Sequence, residues 1–171
     1  MPRISPKRLK EAEVRDGISL PSDYRAFAIA CNGELKEYVP NHPSSVTGSV
    51  TAVRAGELRC VFMCSMFTVV EVDSSGQAIL LPEMKYWDPN DLAAFLPTGS
   101  VFIGSGPPQY VIVLYHSGRR RGQVWVRVID ECSEDPSGDN GMYFCAKNFA
   151  SFLASYKTDG SYEHLKSIDE K

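Results

Sequence analysis

The chain has 171 residues, a hydrophobic content of 43%, a charged content of 23% and a formal charge of −3 at pH 7. That length builds one hydrophobic core without disulfides or metal, and the composition excludes a disordered or fibrous chain. The acidic balance argues against direct nucleic-acid binding and permits an acidic surface that meets a basic partner.

Met1 to Arg8 is charged and lacks the apolar centre of a secretory signal. No apolar stretch approaches the ~18 residues of a membrane span. The five cysteines, at positions 31, 60, 64, 132 and 145, are odd in number. Cys31 falls on an apolar helix face and Cys60 and Cys64 in a hydrophobic strand, which suits reduced, buried thiols. The expectation is a cytoplasmic monomer or small homo-oligomer.

Ser5 reads as an N-cap with Pro6 at the first helical position and Gly17 as the stop. Ile4 and Leu9 are spaced to staple that cap. The helix between is mostly charged and should lie on the surface with a thin buried face. A second helix begins at Leu20-Pro21-Ser22-Asp23, with Pro21 expected at its first position and Asp23 in its first turn, where the helix dipole favours a carboxylate. Tyr24, Phe27, Ala28 and Cys31 recur at helical spacing, and Asn32-Gly33 ends the helix.

Glu34 to Ser49 reads as a long polar loop broken by Pro40 and Pro43. Thr51–Val53, Arg59–Cys64 and Phe67–Asp73 have strand composition, with Phe67–Val72 open to a short helix instead. Ser74-Ser75-Gly76 turns into a strand over Gln77–Leu81. Asp88 and Pro89 start a third helix, whose Leu92, Phe95 and Leu96 face inward until Pro97 and Gly99 end it.

Ser100–Ile103 forms a strand, Gly104 to Pro108 a loop, and Gln109–His116 and Gln123–Asp130 the two strongest strands. Ser117-Gly118-Arg119-Arg120-Arg121-Gly122 joins those two as a hairpin with glycine at both ends. Glu131 to Gly141 is an acidic loop, and Met142–Cys145 a short strand. Asn148 caps a final helix on which Phe149, Phe152, Leu153 and Tyr156 share a face. Residues 1–160 therefore make one domain, and 161–171 a charged tail or loosely docked helix. Helices at both ends around hairpin-linked strands predict an α+β fold with a mostly antiparallel twisted sheet.

The order of these pieces resembles the SMI1/KNR4 family of the SUKH superfamily. The residues that carry the likeness are Leu20, Pro21, Asp23, Tyr24 and Phe27, then Asn32-Gly33. Gly104 after Ser100–Ile103, Tyr110-Val111-Ile112, and Gln123-Val124-Trp125 continue it, and Phe149, Phe152 and Leu153 close it. The family's glycine-rich region leads into a strand carrying an aspartate, whereas Val111 to Leu114 offers no acid here. The resemblance implies a non-catalytic protein-binding domain. In bacteria that is an immunity protein neutralising a cognate toxin, often a nuclease. The alternative it implies is a regulatory or scaffold domain of the fungal kind, which tends to carry long disordered flanks that this chain nearly lacks.

The residues themselves offer no catalytic constellation and call for no metal or cofactor. Gly104-Ser105-Gly106 runs into two prolines that cannot donate N–H groups, so it is a turn rather than a phosphate cradle. His42, His116 and His164 have no neighbours at metal-ligand spacing, and Cys60 and Cys64 are a single pair among apolar residues. The acidic cluster Asp130, Glu131, Glu134, Asp135 and Asp139 lacks the contrasting environments of acid–base catalysis. It reads plainly as a solvated loop, and functionally as an edge that steers a basic partner. Arg119, Arg120 and Arg121 should repel one another into water, keeping an edge soluble or touching an anion. Glu131, Glu134, Asp135, Asp139 and the three arginines are the candidate partner-binding residues.

Overall fold

The structure, a computed structural model, describes residues 5–30, 45–54, 58–67, 70–72, 78–80, 96–106, 110–131, 139–155 and 157–158. Helix α1 spans Pro6–Asp16, and the Ser5 side chain accepts from the Arg8 N–H at 3.2 Å, so the expected cap forms. Gly17 ends the helix in the left-handed conformation, with φ 67°. The buried face is broader than its charge pattern suggested, because Leu9, Ala12 and the charged Glu13 are all covered.

Helix α2 spans Ser22–Ala30 and begins one residue later than expected. The Pro21 carbonyl accepts the first helical bond from the Arg25 N–H at 2.9 Å, so Pro21 is the cap residue. Tyr24, Phe27 and Ala28 are buried as their spacing requires. Ile4, Cys31, Asn32, Gly33 and the third expected helix up to Phe95 lie outside the described residues, and Leu96, expected in that helix, sits half-buried in a bend.

Buried Glu13 fixes the turn between these helices. Its Oε1 accepts from the Leu20 N–H at 2.7 Å and from Arg25 Nη2 at 2.8 Å. Arg25 also donates to the Leu20 carbonyl at 3.2 Å. A buried carboxylate is tolerable only with such charged and backbone donors.

The strands are β1 (Ser45–Arg54), β2 (Leu58–Phe67), β3 (Val70–Val72), β4 (Ala78–Leu80), β5 (Ser100–Gly106), β6 (Tyr110–Tyr115), β7 (Val124–Val128), β8 (Met142–Ala146) and β9 (Lys157–Thr158). Helix α3, Phe149–Ser155, lies between the last two. Three expectations are corrected. Ser45 to Ser49 belongs to β1, not to a loop, because its polar backbone pairs along its whole length with β2. Gly104 to Gly106 continues β5, whose register shifts between Phe102 and Gly104 as at a bulge. The β7 strand stops at Val128, and Ile129–Glu131 coils into a 3-10 turn. The open choice over Phe67–Val72 falls to strand at both described ends, Phe67 closing β2 and Val70–Val72 pairing with β4.

The main sheet is antiparallel in the order β2-β5-β6-β7-β8-β1-β9, and β1 also pairs β2. The order therefore returns to its start, with β9 added at the edge of β1. Strand β6 is buried on both faces, which is why its sequence is continuously apolar. Its Tyr110, Ile112 and Leu114 join the helices in one core, while Val111, Val113 and Tyr115 join Phe102 and Met142 in a second. The overall arrangement is the expected α+β fold.

The two ends of the chain meet at α2 and α3. Phe149 sits edge-on to Tyr24 at 4.7 Å and against Phe27 at 5.0 Å. Asn148 Oδ1 accepts from the Ser151 N–H at 2.7 Å, the expected cap. Asp23 Oδ2 accepts from the Ala150 N–H at 3.0 Å, so it caps α3 across the fold as well as accepting from its neighbour Tyr24 at 2.9 Å. The residues that carried the family likeness are thus largely the body of the molecule. Leu20, Pro21, Tyr24, Phe27, Gly104, Tyr110, Phe149 and Phe152 are buried, and Leu153 is half-buried.

Candidate partner-binding edge

The β6–β7 hairpin holds its arginines on a tight frame. Gly118 and Gly122 adopt φ 72° and 87°, conformations that L side chains rarely take. The Gly122 N–H donates to the Tyr115 carbonyl at 2.8 Å, closing the loop. From outside, the Gly99 carbonyl accepts from the His116 and Ser117 N–H groups at 2.8 and 3.1 Å.

On this frame the three arginines diverge, Arg120 being half-buried and Arg121 exposed but bonded. Arg119 is exposed. Arg120 turns back over Trp125, with its guanidinium 4.5 Å from the ring centre and 5.6 Å from that of Tyr115. It donates to Tyr115 Oη at 3.2 Å and grips Asp139 through two bonds of 2.8 and 2.7 Å. Arg121 donates to the Ser19 and His116 carbonyls at 3.1 and 2.6 Å, tying the hairpin to the α1–α2 link. Mutual repulsion is outweighed because each of these two cations finds acceptors on other elements.

The acidic connection from β7 to β8 is likewise partly tied down. Glu131 pairs with Arg54 at 2.9 Å and accepts from Tyr143 Oη at 3.0 Å. Arg54 lies 5.7 Å over the Tyr143 ring. Burial, followed by the bond to Glu131, pushes the Tyr143 hydroxyl above its ordinary pKa. The Arg120 bond holds the Asp139 carboxyl below the usual range, although burial opposes it. The same bond raises the Arg120 pKa further. Glu134 and Asp135 lie outside the described residues, and Asp130 is exposed on the 3-10 turn.

The sequence treated the arginine hairpin and the acidic connection as separate edges. The structure brings them together at Arg120 and Asp139, and it adds Tyr115, Trp125 and Arg54, which the sequence reading did not single out. One signal was available for Trp125, since it follows Arg120 by five residues across a glycine-bounded turn. Arg54 gave no local signal. Around this edge, paired charges cancel, so the field is weaker than a count of carboxylates implies.

Among the described residues no group of three or more His, Cys, Asp or Glu could hold a metal ion, and Cys60 and Cys145 are reduced, half-buried thiols. No described helix is long and apolar enough to cross a membrane. His116 is half-buried, with its pKa lowered by burial and then by the charge of Arg121. Compared with protein families, the chain matches the SMI1 / KNR4 family (SUKH-1) over residues 3–155. Comparison with curated proteins and with solved structures gives no match.

Proposed function

Because the chain belongs to the SMI1 / KNR4 family (SUKH-1), we propose that it is an immunity protein that neutralises a cognate toxin, of the nuclease class, by covering its active site. Membership supports the coarser statement directly, a non-enzymatic immunity-type or regulatory role that works through protein–protein contact. The match across nearly the whole chain carries the proposal. The edge formed by Arg119 to Arg121 and the Glu131–Asp139 connection is the surface that makes it concrete. A stable complex there buries about 1,600 Å² in total and relies on a few anchoring side chains. Both partners would meet in the cytoplasm.

Coexpression with the toxin domain encoded beside the gene tests this reading. Rescue of growth supports it, and unrelieved toxicity with soluble protein present overturns it. Reversing Glu134 and Asp135 to lysine should weaken binding most at low salt. Equal affinity across a salt series would remove the acidic connection from the mechanism. A gene with no toxin neighbour, whose product binds a cellular protein, would favour the regulatory role instead.

A further inference from the structure

We propose that Arg120 is a carboxylate-binding socket which Asp139 occupies in cis, and that an acidic side chain of the partner protein displaces Asp139 on binding. The identity of that occupant rests on the reading of this edge as the partner surface. The socket itself rests on geometry.

The guanidinium is positioned without help from Asp139. Trp125 backs it at 4.5 Å, Tyr115 flanks it at 5.6 Å, and Tyr115 Oη accepts one of its bonds. Trp125 is fixed in turn, its indole N–H donating to Gln123 Oε1 at 3.0 Å and its ring edge-on to Phe144 at 5.3 Å. What remains of the fork presents two N–H groups to one carboxylate, the planar geometry that arginine supplies and lysine does not.

The two partners differ sharply in exposure. The Arg120 side chain is 30% exposed, whereas Asp139 is 71% exposed. Its departure therefore uncovers the fork without disturbing the aromatic base. Arg127, whose charge also acts on Asp139, keeps the vacated position attractive to an anion. Exchange has a second consequence. The released Asp139 adds an uncompensated negative charge to the acidic connection, just when a basic group on the partner can meet it.

An exposed two-bond pair of ordinary strength fills the socket most of the time, so removing Asp139 should raise the affinity for an external carboxylate about fivefold. The test is a titration of the isolated protein with a tetraglutamate peptide at constant ionic strength. The indole N–H resonance of Trp125 is followed by NMR, assigned with Trp87→Phe. Asp139→Asn should give a saturable shift at about one fifth of the peptide concentration that wild type needs, and adding Arg120→Lys should abolish it. If Asp139→Asn fails to fold, wild type at higher peptide concentration must show the same Arg120-dependent shift. Equal affinity in wild type and Asp139→Asn, a shift that survives Arg120→Lys, or a stronger response to inorganic phosphate would each overturn the socket. The titration needs no toxin, so its failure leaves the immunity reading standing. A failed growth rescue beside a positive titration removes that reading alone.

Discussion

Asp23→Ala should loosen the C-terminal helix, although Asp23 lies in the N-terminal one. Its carboxylate accepts from the Ala150 N–H at 3.0 Å and from the Tyr24 N–H at 2.9 Å. Removing a side-chain acceptor from a helix N-terminus costs about 1 kcal/mol. Removing the half-buried negative charge from the dipole of α3 costs about another 0.5–1 kcal/mol. Together they predict a loss near 2 kcal/mol, or about 6 °C in Tm for a chain of this size. Asp23→Asn keeps one acceptor oxygen for the Ala150 N–H and loses the charge and the bond from the Tyr24 N–H, so it should cost about half as much, near 3 °C. At seven residues α3 is too short to persist undocked. Its amides, Ala150 first, should therefore exchange hydrogen faster in Asp23→Ala than those of β6. Urea denaturation, thermal melting and hydrogen exchange measure the three quantities. Equal losses in Asp23→Ala and Asp23→Asn would refute the acceptor argument, and no loss in Asp23→Asn would refute the charge argument. A Tm unchanged in Asp23→Ala, with Ala150 exchange as slow as before, would refute the contact itself.

Other substitutions probe separate parts of the fold. Glu13→Ala leaves the Leu20 N–H without its acceptor and Arg25 without its carboxylate, and should cost about 2–3 kcal/mol. A double-mutant cycle with Arg25→Ala should show coupling, and additive losses would contradict the paired geometry. Gly17→Ala and Gly141→Ala impose the same backbone strain, with φ 67° and 70°. A Cβ at Gly17 meets nothing within 4 Å, whereas at Gly141 it comes within 2.6 Å of the Val128 carbonyl oxygen. The first should cost about 1 kcal/mol and the second at least twice that by chemical denaturation. His116 titrates below its ordinary 6.5 in the folded protein. The unfolded chain then binds the proton first, so stability falls as the pH drops below that value toward the folded pKa. His116→Gln should flatten the loss of Tm between pH 7.5 and 5.5, and an unchanged slope would show that this histidine is not its source.

The elements that the sequence made legible are those built from neighbours in the chain. Ser5 and Asn148 each cap a helix through an amide three residues on. Gly17, Gly118 and Gly122 take the positive φ that their turns demand. The alternation and apolarity of β6 and β7 placed the central hairpin. Where the sequence erred, the deciding contact lay far away. Ser45 to Ser49 is polar, as loops are, yet pairing with β2 makes it strand. Gly104 punctuates a chain locally, but distant β2 pairs it with Met66 and holds it in the ladder.

By itself the sequence determined the caps at Ser5, Gly17 and Asn148, the arginine hairpin turn, the α+β class and the family, because each depends on order and short-range stereochemistry. Tertiary structure alone decided what the charges do. Asp23 meets Ala150 across 127 positions, Arg54 meets Glu131 across 77, and Arg120 meets Asp139 across 19. A charged side chain carries no local mark of its partner, and only folding brings the two within hydrogen-bonding distance. For that reason three adjacent arginines that read as one solvated tip become an exposed cation, an aromatic-backed socket and a strut to the N-terminal helices.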